Sequence, residues 1–183
     1  MGTTDVSICN SALIKLGADP IVSLEDDSRT AKLCKEQYPK LKLALLRSHP
    51  WNFAEKRLVI AADATAPAFG YTYRYTVPGD CLRVLEVNDN ETEWKLENGY
   101  ILSDSSDCKL RYIAEVSEER FEFLFSELLA TALASDLSAT INPAQKVTLL
   151  KQHEDILRLT RTIDAQENFP RQVQSTTLKN ARR

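Results

Sequence analysis

The chain has 183 residues, 43% hydrophobic and 27% charged, with a formal net charge of −3 and a pI near 5.5. That length allows one domain whose core needs no disulfide or metal staple, and the mild acidity carries no overall nucleic-acid-binding signature. No apolar run is read as approaching the ~20 residues of a membrane span, and the opening Met-Gly-Thr-Thr-Asp-Val has neither the basic nor the apolar region of a secretion signal.

The first predicted helix covers residues 5–16. Thr4 is its N-cap, Val6, Cys9, Leu13 and Leu16 form one apolar face, and Gly17 followed by Asp19-Pro20 stops it. The second begins after Asp27 or Ser28 and runs to about Ser48, on a seam of Ala31, Cys34, Tyr38, Leu41 and Leu45. Pro39 falls inside this pattern and is expected to kink or split the helix near residues 35–38. Arg29, Lys32, Lys35, Lys40, Lys42 and Arg47 face a single Glu over this stretch, which fits either a solvated face or a contact with an acidic partner.

At His49-Pro50-Trp51-Asn52-Phe53 the pattern changes from helical to strand-like. Pro50 should end the second helix, and Trp51 and Phe53 are expected to pin the helical framework to a sheet. Residues 69–77 alternate aromatic and polar side chains, a period-2 strand with Tyr71, Tyr73 and Tyr75 on one face. Such a row either packs in a sheet or stacks single-stranded bases. Pro78-Gly79-Asp80 reads as a turn, residues 82–87 as a strand, Asn98-Gly99 as a tight hairpin turn, and residues 109–114 as a further strand. The middle third is thus a set of short strands in a meander-like arrangement.

The third predicted helix starts from Ser117 as N-cap, with Val116 and Phe121 as a hydrophobic staple and a broad apolar stripe ending at Leu137. Asp136 lies beside that stripe, either as a buried functional carboxylate or as a stripe-edge residue with a basic or hydroxyl partner. Asn142-Pro143 opens a fourth helix to about Asp164, with Leu149, Leu150, Ile156, Leu157 and Ile163 inward and His153 on the same side. Residues 167–183 lose the helical period. From Phe169 onward they hold no acid and carry Arg171, Lys179, Arg182 and Arg183, with Phe169, Val173 and Leu178 as regularly placed apolar residues. This stretch reads as a flexible C-terminal arm, either fraying or ordering on a neighbour.

Chemical motifs are sparse. The four cysteines, Cys9, Cys34, Cys81 and Cys108, show no metal or redox spacing and read as reduced structural thiols. There is no phosphate loop, no metalloprotease helix and no nucleophile elbow. A catalytic reading would rest on Cys81 beside Asp80, or on His49, with no recognisable partner base. No catalytic residue, metal or cofactor is expected.

The order of several short motifs carries more. Asn10-Ser-Ala-Leu13-Ile-Lys-Leu16-Gly17, Pro20-Ile-Val-Ser-Leu24-Glu-Asp, Asp27-Ser-Arg-Thr-Ala31, Trp51-Asn-Phe53, and Tyr75-Thr-Val77-Pro78-Gly79-Asp80-Cys-Leu82-Arg83-Val84 occur in sequence. In that order they resemble the tail tubular protein A family, the head-to-tail adaptors of short-tailed phages. The resemblance implies a non-enzymatic virion protein made in the host cytoplasm. It would form a ring, typically of twelve copies, in the neck of the particle. Its implied partners are the portal protein, the tail nozzle protein, further copies of itself, and double-stranded DNA passing through the channel without sequence specificity; no membrane is implied.

The expected fold is α+β, mainly a helical bundle with a β-rich insertion between helices 2 and 3. Residues 1–166 form the adaptor domain, with a helical framework at 4–48 and 117–165 and the insertion at 56–115; residues 167–183 form the arm. Phe169, Arg171, Val173, Leu178, Lys179, Arg182 and Arg183 are its expected interface residues, and Pro50, Trp51 and Phe53 the structural junction. Two other readings remain: a head-completion or connector protein of a long-tailed phage or prophage, and a single-stranded nucleic-acid-binding module using Tyr71, Tyr73 and Tyr75.

Overall fold

The structure is a computed structural model and describes residues 3–167. Four helices and two three-stranded antiparallel sheets make it a mixed α+β fold, with all six strands between the second and third helices in chain order.

Helix α1 (Asp5–Leu16) opens with a reciprocal cap: Thr4 Oγ1 accepts from the Ser7 N–H at 3.1 Å, and Ser7 Oγ accepts from the Thr4 N–H at 2.9 Å. It stops at Gly17, whose φ of 72° is the left-handed conformation that glycine adopts without strain. Asn10 then holds the linker as a second backbone would, donating to the Ile21 carbonyl (2.9 Å) and accepting from the Ile21 N–H (2.8 Å).

Helix α2 (Arg29–Ser48) is capped by Ser28 and continues through Pro39, so of the expected kink or split the split does not occur. Proline removes one N–H, and the Lys35 carbonyl loses its partner. Both residues are exposed, so solvent can take up that bond. Ala31, Cys34, Tyr38 and Leu46 are its buried residues.

The start of helix 3 is also corrected. Ser117 makes no side-chain cap bond and leads into a 3-10 turn, Glu118–Arg120; helix α3 begins later and spans Phe123–Ile141. Two contacts hold the turn apart from the helix. Tyr38 (2.9 Å) and Lys42 (2.8 Å), both on α2, donate to Glu118 Oε1. Phe121 packs edge-on against Phe125 with ring centroids 4.8 Å apart.

By length and composition α3 is long and apolar enough to cross a membrane, contrary to the expectation from the sequence. Its residues from Phe125 to Ser138 instead supply ten buried side chains, packed against α1, α2 and α4. Helix α4 (Lys146–Gln166) follows a 3-10 turn, Pro143–Gln145. Its buried residues are Leu149, Thr160 and Asp164, whereas Leu150, expected inward, is exposed.

The strands are β1 (Glu55–Ile60), β2 (Tyr73–Thr76), β3 (Cys81–Val87), β4 (Trp94–Glu97), β5 (Tyr100–Ser103) and β6 (Cys108–Ala114). They do not form a meander. One sheet has the order β1-β6-β3 and the other β2-β5-β4, so only β4 and β5 are both consecutive and paired. The physical reason lies in burial. In β6, Cys108, Leu110, Tyr112, Ile113 and Ala114 are all buried, and a strand with so much to bury takes the centre of its sheet.

The β4–β5 turn is Asn98-Gly99, with φ of 49° and 79°, as the Asn-Gly pair requires. The long aromatic strand expected over 69–77 shrinks to Tyr73–Thr76. Phe69 is exposed, and the Thr72 N–H leaves the ladder for Asp104 Oδ1 at 2.8 Å. Tyr75 and Ile101 of the second sheet join the same buried cluster as Leu110 and Tyr112 of the first and the helical residues Leu13, Leu46 and Phe125.

Burial by itself would raise the Glu118 carboxyl; hydrogen bonds from Lys42, from its own backbone and from Tyr38 outweigh it and hold the group below the ordinary glutamate range. A carboxyl depressed in the folded state stabilises above its unfolded pKa, and that stabilisation is lost as pH falls through the folded value. Urea midpoints measured from neutral pH into the acid range should therefore fall, and Glu118→Gln should flatten that part of the profile. An unchanged slope in the variant would mean the Lys42–Glu118–Tyr38 contact does not couple to stability.

Candidate functional site

The junction between the helical and strand-rich segments is built from the chain break at Pro50. A residue before proline is driven out of the helical region, and His49 accordingly ends α2 in an extended conformation (φ −141°, ψ 150°). The Trp51 N–H then bonds back to the His49 carbonyl at 2.9 Å, a tight turn centred on Pro50. Trp51 is fully buried, and its indole N–H donates to the Leu45 carbonyl in the last turns of α2 at 2.9 Å. Its ring meets His49 at 4.5 Å and Phe125 at 5.1 Å, both edge-on. Phe53 packs on Phe125 (4.9 Å) and Phe121 (5.8 Å). These aromatic contacts join the end of α2 to α3, and Trp51 belongs to the same buried cluster as Leu110, Tyr112 and Ile113 of β6; β1 starts after the 3-10 turn Asn52–Ala54.

Sequence reasoning missed the carboxylate beneath this junction. Asp164, in the last turn of α4, is 2% exposed. Its Oδ1 accepts the Asn52 N–H at 2.9 Å and its Oδ2 lies 3.0 Å from His49 Nε2; the Asn52 side chain also donates to the Asp164 carbonyl at 2.7 Å. A signal was present. Asp164 falls four residues after Thr160, on the face that includes Leu149, Ile156 and Leu157, so a helical reading places a carboxylate on a buried stripe.

The remaining candidates fall elsewhere. Burial, aided by the neighbouring Asp80, pushes the Cys81 thiol up, the reverse of what activates a thiolate. Asp80 is held below its ordinary range by hydrogen bonds from Lys56 (2.7 Å) and Tyr112 (3.2 Å), so it ties its turn to β1 and β6. His153 is half-buried, and burial pushes its pKa down. Asp136 is exposed, so it is not the buried carboxylate once considered for α3. Tyr75 is fully buried with its hydroxyl on the Ser105 carbonyl at 2.5 Å, so the Tyr71–Tyr73–Tyr75 row cannot offer three ring faces to bases. Among the described residues no group of three or more His, Cys, Asp or Glu could hold a metal.

The basic face of α2 is largely neutralised from within: Lys32 pairs with Asp27, Lys35 with Glu25 (2.5 Å), Lys40 with Glu36 (3.3 Å) and Lys42 with Glu118 (2.8 Å). That favours a solvated face over a strip awaiting an acidic partner. Phe169, Arg171, Val173, Leu178, Lys179, Arg182 and Arg183 lie outside the described residues.

Several shallow grooves lie on the surface of the described residues. One, of ≈ 430 Å³, is lined by Asn52, Glu55, Arg57 and Glu167, next to the junction. Another, of ≈ 300 Å³, crosses the β1-β6-β3 sheet with Arg57, Val59, Glu86, Asp89, Lys109 and Arg111 on its walls. The register sets Arg57 opposite Arg111 and Arg111 opposite Glu86, one cross-strand row. Arg111 bridges Glu86 (2.6 Å) and Glu55 (3.2 Å), which offsets the two facing guanidinium groups. Val22, Phe69, Phe123, Val147 and Val59 stand largely in solvent on separate elements. Compared with known proteins, the chain matches no family model and no curated protein.

Trp51→Ala should cost about 3–5 kcal/mol, the usual range for a buried aromatic, read as a lower urea midpoint. A variant as stable as the parent that fails to associate with partners would instead make Trp51 an interface residue. Asp164→Ala should also destabilise, by roughly 1–3 kcal/mol for each donor left without an acceptor. Asn52→Asp in the same assay should destabilise as well, by bringing a second carboxylate to Asp164.

Proposed function

We propose that this protein is a structural subunit of a phage neck: a head-to-tail adaptor that forms a ring under the portal and above the tail nozzle, with DNA passing through its centre. The reading starts from the order of short motifs between Asn10 and Val84 that resembles the tail tubular protein A family. The observation that carries it furthest is the layout of the chain: a helical framework with all its strands between the second and third helices, as that resemblance implies. In this reading residues 1–166 are the adaptor domain and residues 167–183 an arm used in assembly.

Two further features support an assembly role. A closed ring of identical subunits joins two different patches on each copy. Exposed apolar side chains on separate elements, Val22 in the α1–α2 linker, Phe69 before β2, Phe123 at the start of α3 and Val147 at the start of α4, are the residues such contacts would use in this reading. Two ionisable groups named as catalytic candidates are engaged in structure: Asp80 accepts from Lys56 and Tyr112, and His49 meets a buried carboxylate. Four of the six basic residues of α2 pair with carboxylates of the same chain, which suits a surface that does not hold DNA in place during passage.

The deciding measurement is particle size by light scattering and electron microscopy, for the protein alone and mixed with portal assemblies. Ring-shaped particles that join the portal are expected, and Phe123→Asp should weaken their formation while leaving the unfolding free energy within about 0.5 kcal/mol of the parent. A chain that stays monomeric and never joins portal assemblies would overturn the proposal.

A further inference from the structure

The described chain ends in a groove, and that position suggests what fills it. Glu167 forms one wall of the trough with Asn52, Glu55 and Arg57. Arg57 also lines the second trough, so the two adjoin at that residue, one beside the end of α4 and the other on the β1-β6-β3 sheet. Residues 168–183 therefore follow directly on a residue that lines the first trough. Sixteen residues can reach about 50 Å when extended, far more than the sheet requires. A segment tethered at the mouth of its own site needs little closure entropy and meets that site at high effective concentration.

The sheet also has a surface to cover. β1 is an edge strand that pairs, among the described residues, with β6 alone, and its consecutive Leu58 and Val59 are 46% and 69% exposed. An apolar open edge is a surface that folded proteins normally protect. The segment supplies matching chemistry: Phe169, Val173 and Leu178 are apolar, and Gln172-Val173-Gln174-Ser-Thr-Thr177 is compatible with an extended strand. Charge separates two routes away from Glu167. The trough along α4 is lined by Arg158 and Arg161 against Glu154, a cationic balance, whereas the two troughs beside β1 together hold Glu55, Glu86, Asp89 and Glu167 against Arg57, Lys109 and Arg111, an acidic one. A segment with four basic residues and no acid is steered to the second.

We infer that the β1 edge and the adjoining face of the β1-β6-β3 sheet are the docking surface for this chain's own residues 168–183, bound within the same subunit. The docking is that of the chain before assembly and requires no second copy; an arm used in the ring would first leave this surface.

The test uses the full chain with the photo-crosslinking residue p-benzoylphenylalanine in place of Phe169 and, separately, of Val173. Irradiation is carried out in a mixture of isotope-labelled and unlabelled copies, and crosslinked peptides are identified by mass spectrometry. Intrachain crosslinks to residues 55–59, 86–89 or 109–111 are expected. Crosslinks to α4, crosslinks only between labelled and unlabelled copies, or none at all would overturn the inference. As a second readout, β1 amides in the unmodified chain should exchange hydrogen about tenfold more slowly than in a Val173→Asp, Leu178→Asp double variant; equal rates would overturn it as well. Ring formation with portal is scored separately, so failure of docking and failure of the adaptor reading are distinguishable.

Discussion

The buried carboxylate of Asp164 ties three distant parts of the chain together. Asp164 sits at the end of α4, and its partners His49 and Asn52 lie at the end of α2 and the start of the strand-rich segment. Removing a carboxylate from water is costly, and the cost is offset only when its oxygens find donors. Here they find the Asn52 backbone N–H at 2.9 Å and the His49 ring at 3.0 Å. Moving α4 away from the junction would leave these groups buried and unsatisfied, so the contact resists sliding in a way that apolar packing does not. Trp51 and Phe53 supply the apolar half of the same joint through Phe125.

From that joint the strand-rich insertion follows. β1 leaves the junction and β6 returns to the helices, and the two pair directly, Glu55 opposite Ile113. An insertion whose first and last strands are neighbours opens and closes at one place, so the helices on either side need not separate to admit it. The return is secured by Glu118, bonded to Tyr38 and Lys42 of α2, and by Phe121 in the aromatic cluster. Both ends of the insertion are thus tied to α2 and α3. The central position of β6 brings distant parts of the chain together, which carries a loop-closure cost that its five buried residues offset.

Charge is distributed to the same end. Most lysines of α2 meet carboxylates of this chain, and Arg111 is shared by Glu55 and Glu86 across the sheet. Among the exposed large apolar side chains, Phe69, Phe123 and Val147 lie on separate parts of the chain, while Leu58 and Val59 are neighbours on β1.

Local chemistry made much of this legible in the sequence. The limits of α1 were readable because Thr4 and Gly17 satisfy its ends within a few residues, and the Asn98-Gly99 turn because a tight hairpin demands positive φ at both positions. The burial of Trp51 was readable from its place between two periodicities. The non-sequential strand order was not, because backbone pairing is indifferent to which distant strand supplies the partner, and only the competition for burial put β6 in the middle. The delayed start of α3 was decided by Tyr38 and Lys42, far away in the chain, which hold Glu118 and override a good local cap at Ser117. The role of Asp164 depended likewise on His49 and Asn52, more than a hundred residues distant. The sequence by itself determined the helices, turns and buried faces, whose causes lie within a few residues. Only the tertiary structure decided which of those faces meet, because a buried polar group must take its partner from wherever the fold delivers one.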